Sequence, residues 1–202
     1  MRLIKLFSRP LLQVFAAASL FAVIGQTNTL YANSASMSQP NYNYFSGGIS
    51  EYSNGQRGIN VYGQFEIQNQ FFVLGKYEQV TRRLATSERS SQTIAETGIG
   101  RYFRVLDGTT ADVSVTGGRL SFSQNVFNTG TNFYTLNTGI SHREGAWELR
   151  GGYRYVDFSG ENSYHGFVGS VFYYVAPQMQ LGVQFNDVYG RSSYTFGARF
   201  VF

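Results

Sequence analysis

Nine charged residues sit where they could act together: Glu66, Lys76, Glu78, Glu96, Asp112, Glu148, Arg150, Arg154 and Arg199 each occupy the polar alternate of a segment whose other alternate is apolar or aromatic. Extended chain points successive side chains to opposite faces, so each such segment carries its charge on one side. Gathered on one inner surface, these groups could line an ion or solute path, or pair with one another and fill the space. Pairing is the less costly arrangement in a narrow interior, because an unpaired buried charge is strongly unfavourable. Arg150 and Arg154 suit Glu66, Glu78, Glu96 and Glu148 as partners. A hydrolytic site would have to use His142 or His165. Both fall on the apolar alternate and at opposite ends of the pattern, whereas nucleophile and base need hydrogen-bond contact. No catalytic residue, metal site or cofactor is therefore expected. Gly98-Ile99-Gly100-Arg101-Tyr102-Phe103 lacks the strand-to-helix setting of a phosphate loop.

The elements that carry these charges read as strands. Ile59, Val61, Gly63, Phe65 and Ile67 alternate with Asn60, Tyr62, Gln64, Glu66 and Gln68, and Trp147, Leu149, Gly151, Tyr153 and Tyr155 alternate with Glu148, Arg150, Gly152 and Arg154. Such segments recur over about ten stretches, 42–52, 58–68, 70–82, 92–105, 109–123, 132–143, 146–157, 164–175, 179–189 and 193–202. Eight strands is the alternative, since 42–52 alternates poorly. Connections near Asn69, Asp107-Gly108, Glu144-Gly145 and Pro177-Gln178 are tight; those at 53–57, 83–91, 124–131, 157–163 and 187–192 are longer. Two residues break the pattern. Arg119 shares parity with Val113 and Val115, and a bulge at Gly117-Gly118 would turn it inward and send Leu120 and Phe122 out. Arg101 lies with Ile99 and Phe103 near a strand end, from where it could snorkel to headgroups.

The amino terminus reads as a leader: Arg2, Lys5 and Arg9 precede an apolar stretch, 11–24, and then a polar run of small residues. That stretch falls short of the roughly 20 apolar residues of a membrane helix. Leu30-Tyr31-Ala32 offers cleavage after Ala32, with Ala35 as second choice. Without the three leader cations, basic and acidic residues nearly balance, so the +4 charge of the whole chain gives no nucleic-acid signal. No cysteine is present, which excludes disulfides and a lipid-modified cysteine anchor. After residue 32 the only lysine is Lys76, against 18 Phe and 15 Tyr in the chain. A water-exposed surface usually needs far more Lys and Glu than this. A soluble ligand-binding calyx would put the aromatics inside and an almost lysine-free surface outside.

The last ten residues, S-Y-T-F-G-A-R-F-V-F, place Tyr194, Phe196, Ala198, Phe200 and Phe202 on one face. With the leader, the alternating strands and the short and long connections, this ending resembles the small porin-like or OmpA-like outer-membrane β-barrels of Gram-negative bacteria. The resemblance implies an all-β, closed, antiparallel transmembrane barrel of ten strands, with 1–32 as signal peptide and 33–202 as the barrel. Tight turns would be periplasmic, longer connections external, and the aromatics Tyr77, Tyr102, Phe103, Tyr153, Tyr155, Tyr173 and Phe202 would form interfacial girdles. Phe202 would be the signal read by the barrel-insertion machinery. The expected setting is the outer membrane, as a monomer in contact with lipid and lipopolysaccharide, the guanidinium forks of Arg82 and Arg83 meeting phosphates. The expected role is non-enzymatic, structural or surface-interacting, with the nine charges plugging the lumen. A narrow diffusion channel biased by Lys76, Arg150, Arg154 and Arg199 is the alternative, and an enzyme acting on lipid or peptide is third.

Overall fold

Period-two alternation and short turns give ten strands: β1 Tyr44–Tyr52, β2 Arg57–Gln68, β3 Phe71–Arg83, β4 Arg89–Leu106, β5 Thr109–Gln124, β6 Phe127–Glu144, β7 Trp147–Phe158, β8 Ser163–Ala176, β9 Met179–Asn186 and β10 Ser193–Val201. The computed structural model describes residues 39–83, 89–124, 127–160, 162–188 and 192–202. Each strand pairs antiparallel with the next, and β10 closes on β1. Closure satisfies the backbone groups that an open sheet edge would leave unpaired. The strands lean strongly. Stepping from partner to partner, Tyr52 leads through Ser193, Asn186, Val168, Gly152, Gly139 and Asp112 to Tyr102. That path starts at one end of β1 and finishes near the other end of the barrel, which is the stagger that closing a tilted sheet requires.

Four tight turns share one end of the barrel, here the turn end. Asn69 and Gln70 both take positive φ, 53° and 68°, as a two-residue turn matched to strand twist demands. Register shifts sit beside three of these turns, at Glu66/Gln68, Arg104/Leu106 and Tyr174/Ala176. The third turn is Gly145-Ala146, one residue beyond the sequence expectation. At the opposite, loop end the wall is uneven: β4 and β6 have 18 residues each, whereas β9 has 8 and β1 and β10 have 9. Strand runs into both long connections expected at 83–91 and 124–131, up to Arg83 and from Arg89 in the first and up to Gln124 and from Phe127 in the second, so β3 to β6 continue into a crown above their neighbours.

The crown also corrects the expected bulge. Register runs unbroken through Gly117↔Thr97, Gly118↔Glu96, Arg119↔Ala95 and Leu120↔Ile94 on one side and Gly117↔Tyr134 to Leu120↔Thr131 on the other. Arg119 stays on the outer face and Leu120 is buried within. The environment switches, not the backbone. Up to Gly117 the outer face of β5 is Ala111, Val113 and Val115, whereas beyond it the outer residues are Arg119, Ser121 and Ser123. The neighbouring strands switch at the same level, with outer Tyr77 giving way to Gln79 and Thr81, Ile99 to Thr93 and Ser91, and Tyr134 to Asn132.

Below the crown the outer face is a continuous apolar belt that includes Ile49, Ile59, Val73, Val115, Ile140, Phe167, Leu181 and Phe196, all exposed. Aromatics flank it: Trp147 meets Tyr173 edge-on at 4.8 Å near the turn end, and Tyr134 meets Tyr155 at 6.4 Å below the crown. Of the aromatics expected on this outer face, Tyr102 is misplaced. It lies on the opposite parity from Phe103, buried inside. Arg101 is outside, its guanidinium 5.0 Å from the rings of both Phe71 and Phe103.

Gly100, on the inner face of β4, shows how tightly the interior is filled. A Cβ there would strike the Phe72 ring and stand 2.8 Å from Ser114 Cβ. Gly100→Val is expected to destabilise the barrel by about 1 to 3 kcal/mol through overpacking, read as a lower urea midpoint in lipid vesicles; an unchanged midpoint would contradict this packing.

Candidate functional site in the lumen

The lumen is layered along its axis. At the turn end Tyr42, Phe72, Leu74 and Tyr102 form a buried aromatic and apolar cluster, with Tyr62 packed against it. At the loop end Ile94, Leu120, Phe133, Val156, Phe158 and Val188 form a second cluster, backed by Tyr164 and Val168. Val188 comes from the β9–β10 connection, and its backbone N–H donates to Asn186 Oδ1 at 3.1 Å. Charge lies between these layers.

All nine charged residues read from the sequence face inward. Arg154 on β7 donates to Glu96 on β4 at 2.6 Å, and Arg199 on β10 donates to Glu148 on β7 at 2.6 Å. Arg150 on β7 meets Asp112 on β5 at 2.5 Å. It crosses β6 to do so, and Gly139 lets it pass: a Cβ at that position would stand 3.0 Å from Arg150 Nη2. Lys76 and Glu78, two residues apart on one face of β3, pair at 2.9 Å, and the Tyr52 hydroxyl donates to Glu78. Glu66, two residues before the end of β2, accepts from the Tyr102 hydroxyl at 2.9 Å. Asp112 was not among the partners expected for Arg150. The register Asp112↔Gly139↔Gly152 sets it two strands away at nearly the same level.

Further polar and aromatic groups surround these charges. Gln180 Nε2 and the Tyr174 hydroxyl donate to Glu148 Oε2 at 3.2 and 3.4 Å. The Arg199 guanidinium lies between the rings of Tyr44 and Phe172, 4.0 and 3.9 Å from their centroids. Thr116 and Thr135 share a 2.6 Å hydrogen bond beside Glu96. Burial weakens screening and strengthens the attraction within each pair, against the cost of desolvating both groups, so the large penalty falls on any charge left without its partner. Chemically, the arrangement binds its own charges to one another. A cavity of about 160 Å³ remains among Lys76, Glu78, Glu96, Arg150, Arg154 and Arg199.

The other sequence candidates lie apart from this lumen. His142 Nδ1 is 2.9 Å from Thr109 Oγ1 near the turn end, and His165 Nδ1 is 2.6 Å from the Tyr153 hydroxyl toward the loop end. The two histidines share no site. Among the described residues no group of three or more His, Cys, Asp or Glu is placed to hold a metal ion. The side chains of Arg82 and Arg83 lie outside the described residues, as do the leader and the cleavage choices at Ala32 and Ala35. Sequence reasoning missed Tyr42 and Val188, each contributed to a lumen cluster from outside the strands.

No family model matches the chain, and no curated protein matches it. Among solved structures, the chain is similar to the NanC porin, with 8% identity over 79% of this chain and 99% of that one and a TM-score of 0.50. Matches with lower scores include the KdgM porin, at 10% identity, 79% and 99% coverage and a TM-score of 0.43. Ail, the attachment invasion locus protein of Yersinia pestis, gives 14% identity, 79% and 97% coverage and a TM-score of 0.38. The class these observations define is a closed, ten-stranded, antiparallel β-barrel with the fold of a porin.

The ion pairs predict an asymmetric response to mutation. Arg154→Met strands Glu96 in the lumen and is expected to cost about 3 to 5 kcal/mol, whereas adding Glu96→Gln should recover most of that loss. Equilibrium urea unfolding of both variants in lipid vesicles reads this, and equal losses in the single and double variants would contradict the pairing.

Proposed function

We propose that the protein is a non-enzymatic, monomeric barrel of the Gram-negative outer membrane, with a structural or surface-interacting role and a lumen closed by its own side chains. The observation that carries this reading is the inverted surface: an apolar outer belt around an interior of paired charges. A basic residue at mid-membrane on the lipid face costs about 2 to 4 kcal/mol, and the cations on inner faces, Lys76, Arg150, Arg154 and Arg199, avoid that cost. Above the belt the crown reverses to polar outside and apolar inside, as a wall emerging into water requires. On this placement the turn end is periplasmic and the crown external. Arg101 then reaches inner-leaflet headgroups, and lipopolysaccharide meets the external wall, where Arg82 and Arg83 are proposed phosphate contacts. Residues 1–32 act as the cleaved leader, and Phe202, directly after β10, acts as the insertion signal.

The cavity between the clusters favours one other reading, a narrow diffusion channel for small solutes. Conductance separates the two. Refolded protein in a planar bilayer is expected to be silent, and stable single-channel steps would establish the channel instead. Folding is likewise expected to require detergent or lipid: a β-sheet circular-dichroism spectrum with cooperative unfolding in plain buffer would overturn the membrane placement.

A further inference from the structure

We propose that residues 39–43 form a stopper that closes the turn end of a preformed polar chamber in the lumen; this rests on the reading of the lumen as closed. The chain reaches β1 from inside the wall, with Pro40 and Tyr42 buried and Asn41 and Asn43 half-buried. Tyr42 belongs to no strand, yet its ring stacks on Tyr102 of β4, with centroids 4.0 Å apart and planes at 11°, and tilts against Phe72 of β3 at 5.3 Å. Its hydroxyl donates to Asp112 Oδ2 at 3.2 Å and shares a 2.9 Å hydrogen bond with Thr110 Oγ1, both on β5. β1 pairs only with β2 and β10, so these contacts reach across the lumen to strands that β1 does not touch.

The inward course is fixed locally. Asn41 Oδ1 accepts from the Asn43 backbone N–H at 2.6 Å, and Asn43 Oδ1 accepts from the Glu66 backbone N–H at 2.8 Å. The cavity of about 160 Å³ is lined by Leu74 and Tyr62 of the cluster that holds Tyr42, and by Val168, which packs against the cluster that contains Val188. Tyr42 contributes nothing to the interstrand ladder. Taking its ring away therefore opens one end of the chamber while the hydrogen-bonded wall stays whole.

The chain has no cysteine, so one introduced thiol reports cleanly. Ser114 is small, buried and on the chamber wall. In proteoliposomes of known orientation, Ser114→Cys is expected to resist a charged, membrane-impermeant methanethiosulfonate from both sides. Combined with Tyr42→Ala it is expected to react at least about tenfold faster from the turn end alone, because modification follows the population of the open state. Tyr102→Ala, which removes the other ring of the stack, is the second variant and is expected to act in the same way. Tyr42→Phe keeps the stack and is expected to preserve protection. Unchanged protection in correctly folded Tyr42→Ala and Tyr102→Ala proteins, or equal acceleration from both ends, would overturn the stopper. Rapid modification of Ser114→Cys with Tyr42 intact would instead overturn the closed lumen itself.

Discussion

Arg150 reaches Asp112 across β6, Arg154 reaches Glu96, and Arg199 reaches Glu148 between two aromatic rings. Without those contacts each guanidinium would be a charge stranded in a narrow, poorly screened interior. The outer belt offers no other place for them, since its side chains are Ile, Val, Leu, Phe and Tyr over most of the wall. Pairing across the lumen is therefore the condition under which this exterior and this interior coexist in one chain. It also explains the inner-face glycine at 139, which clears a path for Arg150.

The two ends follow from the same constraint. Once charges fill the middle, the layers above and below are apolar and aromatic, and each draws on a residue outside the strands, Val188 at one end and Tyr42 at the other. The wall alone does not decide whether a barrel conducts.

Much of this was legible in the sequence. Alternation over 59–67 and 147–155 gives the outer and inner faces directly, and the recurrence of such segments between turn signals gives ten strands, with eight as the alternative. Cross-lumen geometry was not legible. Arg150 finds Asp112 two strands away only through a register that one strand cannot reveal. Tyr102 read as a girdle aromatic because residue type does not tell an interfacial tyrosine from a lumenal one. Parity does, since Tyr102 alternates with Arg101 and Phe103. Arg119 breaks the alternation only if period two means one environment along the whole strand. β5 instead passes through two, and the apolar alternate moves from odd positions to even ones as it does so.

That passage is the most direct handle on where the barrel sits. Spin labels placed singly at outer positions 111, 113, 115, 119, 121 and 123 of β5, in protein refolded into lipid vesicles, measure collision with a lipid-soluble and a water-soluble relaxation agent. A membrane belt predicts lipid-dominated collisions at 111, 113 and 115 and an abrupt change to water-dominated collisions at 119, 121 and 123. Uniform water accessibility along the strand would contradict it.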